Sequence, residues 1–285
     1  MLPMQQIQGT YALLDSGEGA RVERFGDYLL ERPASLAIWR RRQSSVCPPD
    51  SRYLPPKGWQ STRKLPDQWP VVIDGITMLV RCQSNGQVGV FPEHATYLSE
   101  IRAAATARPG ARVLNLFAYT GLASLAAAVA GAEVTHVDLS KSANRWARDN
   151  ADENGIATIR FITEDALVFL EREAKRGNRY DLIIADPPSF SRPTPRSQWQ
   201  LSEVIMPLIE GVLRVLADEG AVCLTSHSYD LGSVVLQNLL LDGAADALSF
   251  VESRQLVIPE ERGARGIPAG FLVWGRYAAD RERAR

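Results

Sequence analysis

The sequence predicts an α/β protein: a doubly wound, mostly parallel sheet of seven strands with an antiparallel edge, preceded by a small antiparallel β subdomain. Three observations support this. Apolar, β-branched runs alternate with helical segments from residue 112 onward, which is typical of parallel strands covered by helices. The last two apolar runs have no long helix between them, which indicates the antiparallel edge. The first 95 residues carry short strand-like runs between turn signals.

The N-terminal part, residues 1–95, is predicted as one domain and residues 96–285 as the second. Three runs in the first part read as strands, namely Tyr28–Pro33, Val71–Arg81 and Gln87–Pro92. Asp74-Gly75 and Asn85-Gly86 are dipeptides that favour hairpin turns. The Pro-rich and polar stretch 44–70 is predicted as loop or edge structure.

Residues 96–285 are predicted to alternate between strands and helices. A helical segment at 95–107 leads into this part. The predicted strands are 112–116, 133–138, 158–162, 180–186, 221–225, 249–258 and 270–277. The predicted helices begin after residue 121, at Ser140 (the N-cap), near Asp165, near Arg196 and near Leu231. Pro187-Pro188 must end the fourth strand, because proline lacks the backbone N–H.

Composition excludes several classes of protein. The formal net charge is −1, so no global positive field indicates nucleic acid. The three cysteines are far apart and the three histidines show no HExxH spacing, which argues against disulfides and a metal site. The chain shows no signal-peptide pattern and no apolar run of about 18 residues. We therefore expect a cytoplasmic protein without metal or membrane partners.

Basic and aromatic residues interleave between Trp39 and Trp69, including Arg40-Arg41-Arg42, Trp59 and Arg63. Such residues can bind phosphates and stack on bases. The alternative is a solvated face with tryptophans that fill a small β core, and we prefer it because charge runs are usually solvated.

Acidic residues follow three of the predicted parallel strands: Asp138, Glu164-Asp165 and Asp186. Each has an ordinary explanation as a residue near a helix start or a strand end. Ligands of doubly wound sheets, however, bind outside the carboxyl ends of the strands, and three acids on one rim favour a shared ligand site. Asp138 follows Gly121 by 17 positions, close to the spacing expected of a ribose-binding acid.

The turn after the first parallel strand helps to decide which class of ligand the site binds. A dinucleotide prefers three glycines, which admit a pyrophosphate against the backbone. This turn has the single Gly121 and a bulky Tyr119. S-adenosylmethionine has no phosphate, and its amino acid, ribose and adenine suit one turn and two acids.

Four segments together resemble a known family: Phe117-Ala118-Tyr119-Thr120-Gly121, Asp138-Leu139-Ser140, Glu164-Asp165-Ala166 and Asp186-Pro187-Pro188-Ser189-Phe190. They resemble the Rossmann-like class I S-adenosylmethionine-dependent methyltransferases. More narrowly, they are similar to the branch of bacterial large-subunit rRNA cytosine-C5 and guanine-N7 methyltransferases. Gly89-Val90-Phe91-Pro92-Glu93 and Gly270–Trp274 also resemble segments of that branch. No counterpart of its RNA-binding PUA module is apparent.

The resemblance implies the site residues. The cofactor would be bound by Phe91, Glu93, Asn115, Phe117, Ala118, Tyr119, Thr120, Gly121, Asp138, Leu139, Ser140, Asp165, Ala166 and Asp186. By this resemblance, the turn at residues 117–121 would hold the methionine part of the cofactor, Asp138 would bind the ribose hydroxyls and Asp165 would bind the adenine amino group. The catalytic residues would be Asp186, Pro187, Pro188 and Phe190, with Phe190 stacking on a base flipped out of its stack.

This sequence departs from the cytosine-C5 methyltransferases in one respect that bears on the atom to be methylated. Cytosine-C5 transfer needs a cysteine thiolate, but Leu224-Thr225-Ser226-His227-Ser228 contains none, and Cys223 lies within a strand as a small apolar residue. Transfer to nitrogen needs no covalent step, and His227 either assists or is a structural residue. We therefore predict methylation of an RNA base, most plausibly an rRNA base, at a nitrogen rather than at cytosine C5, by a monomer or homodimer. The alternatives are a methyltransferase acting on protein or a small molecule, and a non-catalytic RNA-binding or assembly protein.

Overall fold

The computed structural model describes residues 6–42, 47–191, 199–245 and 247–277. Two compact units divide this chain. The first contains the described residues up to Leu98 together with Val257–Ala269, and the second contains Ser99–Leu256 and the described residues from Gly270 onward. The segment 257–269, which the sequence placed in the second domain, thus groups with the first unit. The division into domains at residue 95 stays a prediction.

The first unit contains a five-stranded sheet and a separate hairpin. The sheet consists of β1 (Tyr11–Gly17), β2 (Ala20–Phe25), β3 (Tyr28–Pro33), β4 (Ser51–Leu54) and β5 (Gly58–Ser61), in that order. Its pairs are antiparallel except for β3 with β4. The hairpin consists of β6 (Trp69–Ile73) and β7 (Ile76–Val80), and it turns at Asp74 and Gly75, which both have positive φ. The predicted antiparallel β subdomain is confirmed.

One expectation for this unit is wrong in detail. Residues 87–91 form no strand, because Gly89 has φ +92° and a 3-10 helix begins at Pro92. The stretch 44–70, predicted as loop or edge structure, contains β4 and β5, and β5 is the edge strand of the five-stranded sheet. The aromatic residues of that region have internal partners: Trp59 Nε1 donates to the Gln83 carbonyl at 2.7 Å, and the Arg63 guanidinium lies over the Tyr28 ring. These contacts support the structural interpretation of the basic and aromatic residues.

A charged group lies at the centre of the first unit. The carboxylate of Glu23 is fully buried and accepts hydrogen bonds from Arg32 Nε at 2.7 Å and Tyr11 Oη at 2.9 Å. Burial alone would raise the Glu23 pKa, but the charges of Arg21 and Arg32 outweigh it and hold that pKa below its usual value. Glu23 is therefore an ionised member of a buried ion pair.

The second unit contains the predicted seven-stranded sheet, apart from residues 257–259 and 266–269 of its last two strands, which group with the first unit. Its elements are α1 (Leu98–Ala105, beginning at the last residue of the first unit), β8 (Arg112–Leu116), α2 (Leu122–Val129), β9 (Glu133–Asp138), α3 (Lys141–Glu153), β10 (Arg160–Thr163), α4 (Ala166–Lys175), β11 (Tyr180–Ala185), β12 (Phe190–Ser191), β13 (Trp199–Gln200), α5 (Leu201–Val215), β14 (Leu216–Ser226), α6 (Ser233–Ala244), β15 (Leu248–Pro259) and β16 (Gly266–Tyr277). The sheet order is β10-β9-β8-β11-β14-β16-β15.

The strand directions confirm the doubly wound arrangement with an antiparallel edge. β10, β9, β8, β11 and β14 pair in parallel, and β16 pairs antiparallel with β14. The chain proceeds from β8 towards β10 on one side and from β11 towards β14 on the other, so the order reverses between β8 and β11. Such a reversal is where α/β sheets bind ligands.

Apolar strands and helices make the core that supports this sheet. Leu114, Ile183 and Val222 are buried on the central strands and share one apolar cluster with Phe169 and Leu208 of α4 and α5. Their burial explains why the apolar pattern identified these strands. The helix predicted from Arg196 begins at Leu201, after the short β12–β13 pair; residues 196–198 lie outside the described part. No helix of the described chain is long and apolar enough to cross a bilayer.

Candidate functional site

The carboxyl ends of four parallel strands bring the predicted residues to one rim. Leu116 at the end of β8 pairs with Val137 of β9 on one side and with Ala185 of β11 on the other. Asp138 pairs with Thr163 at the end of β10. The residues that follow these strand ends are therefore neighbours across the sheet, as the sequence predicted.

The turn after β8 has an unusual backbone. Phe117 and Tyr119 have φ of +55° and +50°, and Gly121 has φ of +94°. Left-handed conformations cost L-residues with side chains about 1–2 kcal/mol each, so the surroundings must hold them. The Tyr119 N–H donates to Asp138 Oδ2 at 2.9 Å, and the Ala118 N–H donates to the Val137 carbonyl at 3.1 Å. The Asp138 side chain and the Val137 backbone of β9 thus hold the strained turn in place.

Gly121 begins the helix that follows this turn. Its carbonyl accepts the first helical hydrogen bond, from the Leu125 N–H at 2.8 Å, and no side chain caps the start of α2. The positive φ favours glycine here, whereas space does not demand it, since an added Cβ would lie 3.4 Å from Ala147 Cβ. First-turn amides without a side-chain cap suit the carboxylate of an amino-acid ligand.

Asp138 connects the turn with the next helix. Its Oδ1 accepts from the Ser140 N–H at 2.8 Å and its Oδ2 from the Tyr119 N–H at 2.9 Å. Burial raises the pKa of Asp138 above its usual value, and these two amide hydrogen bonds oppose part of that rise. The carboxylate is therefore held in one orientation at the rim, with lone pairs on both oxygens still able to accept from ribose hydroxyls.

Two further predicted site residues, Ser140 and Asp165, act as helix caps. Ser140 Oγ accepts from the Ala143 N–H at 3.2 Å, and Asp165 Oδ1 accepts from the Leu167 and Val168 N–H groups at 2.9 and 3.1 Å. The predicted Ser140 cap is confirmed, and the cap interpretation of Asp165 is correct as far as Oδ1 is concerned. Both of these amide hydrogen bonds go to Oδ1 of Asp165. Leu139 is exposed and Ala166 is buried.

Asn115 lies behind the turn rather than on it. It is buried in β8 and donates from Nδ2 to Ser124 Oγ at 2.8 Å, and Ser124 Oγ lies 3.0 Å from His136 Nδ1. Burial lowers the pKa of His136 to about 3, despite a hydrogen bond with the Tyr119 backbone, so the imidazole is neutral. Ser124 and His136 were not singled out from the sequence. The feature of the sequence that could have identified them is that each is a polar residue within an apolar run.

Asp186, the acidic residue predicted to be catalytic, has the side chains of Thr225 and His227 as neighbours. Thr225 Oγ1 donates to Asp186 Oδ1, and His227 Nε2 lies 3.1 Å from the same oxygen. Pro187 is buried and Pro188 is exposed. The side chain of Phe190 lies outside the part of the chain that the structure describes. The sequence named His227 as an assistant or a structural residue; the structure brings it to Asp186, and it adds Thr225.

Cys223 is not a nucleophile in this arrangement. Its side chain is fully buried in β14, and burial, with a smaller contribution from Glu100, raises its pKa well above the usual value. A protonated, inaccessible thiol cannot add to a base. The other two cysteines, Cys47 and Cys82, belong to the first unit. Phe91 and Glu93 also belong to that unit, and their role at the cofactor stays a prediction.

A doubly wound sheet with an antiparallel edge, this turn and three acids on one rim are features typical of class I methyltransferases. Residues 27–254 match the S-adenosylmethionine-dependent methyltransferase family, and the chain belongs to that family. The predicted family and its cofactor, S-adenosylmethionine, are confirmed.

Known proteins of this kind are similar over most of the chain. A crystal structure of the SAM-dependent methyltransferase from Agrobacterium tumefaciens has a TM-score of 0.86 and 34% identity, over 98% of this chain and 95% of that chain. Ribosomal RNA large subunit methyltransferase I of Aeromonas hydrophila is 32% identical over 72% of this chain and 53% of its own. Ribosomal RNA large subunit methyltransferase K of Neisseria meningitidis is 32% identical over 64% and 51%. The chain spans about half the length of these two relatives.

Proposed function

We propose that this protein transfers a methyl group from S-adenosylmethionine to a nitrogen of an RNA base, with large-subunit rRNA as the substrate. The observation that carries the proposal is the position of Asp186. It follows β11 at the point where the strand order reverses, beside the turn after β8, and it is oriented by Thr225 and His227. The names of the two rRNA methyltransferase relatives support RNA as the acceptor.

The residues of the rim fit the cofactor. The uncapped start of α2 suits the methionine carboxylate and Asp138 suits the ribose hydroxyls. Asp165, the N-cap of the helix that follows β10, suits the adenine amino group. S-adenosylmethionine supplies an electrophilic methyl group on a sulfonium sulfur. The chain's own contribution is to fix both reactants in line, which is the main requirement of such a transfer.

Asp186 and the backbone of Pro187 orient the acceptor nitrogen of the RNA base. In the transfer a nitrogen lone pair forms the bond to the methyl carbon, the carbon–sulfur bond breaks towards sulfur, and a nitrogen that carried hydrogen gives its proton to the Asp186 carboxylate. A carboxylate at this place accepts a hydrogen bond from the nitrogen and orients its lone pair. The hydrogen bonds from Thr225 and His227 restrict Asp186 to one orientation.

Nitrogen is favoured over cytosine C5 because the second unit holds only one cysteine. That residue, Cys223, is buried and protonated. Carbon 5 of cytosine becomes nucleophilic only after a thiolate adds to the ring. Direct attack by nitrogen needs no such group.

The test is transfer of labelled methyl groups to total rRNA from a strain that lacks the gene, followed by nucleoside mass spectrometry. We expect label in large-subunit rRNA on a base nitrogen. Asp186→Ala should abolish transfer and keep binding of S-adenosylhomocysteine, the product, by calorimetry. Asp149→Ala, an exposed aspartate on α3, serves as the matched control and should be fully active. Label in protein or metabolites, or at carbon 5 of cytosine, would contradict the proposal.

A further inference from the structure

The sheet-facing side of α3 carries two buried asparagines where apolar residues are expected. Asn144 and Asn150 are both fully buried, next to Trp146 and Ala147. A helix normally presents apolar residues to the sheet beneath it. Burying an amide costs free energy unless its polar atoms find partners. The contacts of these two amides therefore indicate their purpose.

Asn144 joins the ends of two strands. Its Nδ2 lies 2.9 Å from the Asp138 carbonyl, 3.2 Å from the Ile162 carbonyl and 3.0 Å from Thr163 Oγ1. The first acceptor belongs to β9 and the other two to β10, so one amide group spans the strand ends that carry Asp138 and lead to Asp165. These acceptors also fix the orientation of the amide, because only Nδ2 can donate to them.

The other amide atom of Asn144 counts against a role in stability alone. Its Oδ1 is buried and has no hydrogen-bond partner within the described part of the chain. A buried, unsatisfied acceptor is destabilising, and an apolar side chain of similar size would avoid that cost. The cost is explained if the amide is needed to hold the rim.

Asn150 and its neighbours hold the turn after β8. Asn150 Nδ2 donates to the Thr120 carbonyl at 2.8 Å. The Trp146 ring lies 6.3 Å from the Tyr119 ring, measured between centroids. Tyr119 is one of the two aromatic residues of this turn with positive φ, and strained backbone persists only where surrounding contacts determine it. One helix thus contacts both the turn and the strand ends.

We propose that Asn144 and Asn150 are positioning residues for the cofactor. Asn144 holds the ribose and adenine side of the site through the ends of β9 and β10, and Asn150 holds the methionine side through Thr120. The inference rests on the proposed cofactor site at this rim and is independent of the RNA acceptor. Neither side chain touches the cofactor itself; each acts through the residues it holds.

Calorimetry with S-adenosylhomocysteine and with adenosine tests this division. Asn144→Ala should weaken binding of both ligands by about tenfold or more, the effect of losing a hydrogen-bonded support. Asn150→Ala should weaken S-adenosylhomocysteine by a similar factor and leave adenosine within about twofold. The matched control is Asn154→Ala, because the Asn154 side chain donates to the Asn150 backbone carbonyl at the end of α3, at 2.7 Å; both affinities should stay unchanged.

Thermal unfolding of the same variants separates positioning from general stability. The proposal requires that both variants keep a cooperative transition and differ in ligand selectivity. It is overturned if folded Asn144→Ala binds S-adenosylhomocysteine as the wild type does, if both variants weaken the two ligands equally, or if both lose the folded state. A wild-type protein that binds no S-adenosylhomocysteine would overturn this inference together with the proposed site, whereas binding without RNA methylation would overturn only the proposed acceptor.

Discussion

Replacing Asp138 with alanine is the most direct test of the cofactor site. The change removes the acceptors of the Tyr119 and Ser140 N–H groups, at 2.9 and 2.8 Å, and the proposed acceptor of the ribose hydroxyls. A hydrogen bond to a charged group contributes about 1.5–3 kcal/mol. Losing one such bond to ribose should lower the affinity for S-adenosylhomocysteine about 10- to 150-fold. Loosening of the turn at Tyr119 adds to this loss.

The same change should affect folding much less than binding. Because burial raises the pKa of Asp138, its ionised form is less favourable in the fold than in the unfolded chain. The charge therefore opposes folding above the unfolded pKa, and its removal offsets part of the cost of the two lost amide hydrogen bonds. We expect a large fall in affinity with a small shift of the thermal midpoint at pH 7.

The assay is titration calorimetry of Asp138→Ala with S-adenosylhomocysteine, with thermal unfolding measured in parallel. Asp149→Ala, an exposed aspartate on the outer side of α3, controls for loss of a carboxylate and should bind as the wild type does. A folded Asp138→Ala protein whose affinity falls less than about threefold, well below one charged hydrogen bond, would refute the assignment of Asp138 to the ribose.

Three further changes test other parts of the molecule. His227→Ala should lower kcat about tenfold or more, whereas His227→Gln should retain most activity, because its amide can donate to Asp186 from the position of Nε2; equal losses would contradict an orienting role. Cys223→Ala should keep methyl transfer, and its inactivation would revive a thiol mechanism. Glu23→Gln should lower the free energy of unfolding by about 3–5 kcal/mol at pH 7, since Arg32 loses its buried partner. Because the Glu23 pKa is lowered from 4.5, this contribution in the wild type should fall away below about pH 4.5, and Glu23→Gln should lack that pH dependence in denaturant titrations.

The second unit was predictable from sequence because burial there follows the chain locally. Strands such as Tyr180–Ala185 are apolar apart from Asp181, so composition identifies them. Asp138 and Asp186 could be placed on one rim because the carboxyl ends of parallel strands share an edge. The prediction needed no knowledge of distant contacts.

The first unit was less predictable because its core contains charges. β1 and β2 were not expected, since Asp15 and Glu23 interrupt the apolar alternation by which strands are recognised. Both carboxylates are buried and paired with arginines on other segments: Glu23 binds Arg32, 9 positions away on the next strand, and Asp15 binds Arg265, 250 positions away. A buried ion pair looks like two exposed residues until both partners are known. The same reasoning explains why Asn144 and Asn150 were not recognised as site residues.

The turn after β8 shows the limit of motif reading most clearly. Its segment predicts a strand, a turn and a helix, and all three are present, but the sequence does not show that Phe117 and Tyr119 take the left-handed conformation, which glycine usually supplies. Their strain is offset by Asp138 and Asn150, which lie 19 and 30 positions beyond the backbone atoms they contact. Two aromatic side chains can stand where dinucleotide-binding turns need glycine, because S-adenosylmethionine brings no phosphate against the backbone. The local motif therefore identifies the ligand class, and residues far along the chain determine the geometry that binds it.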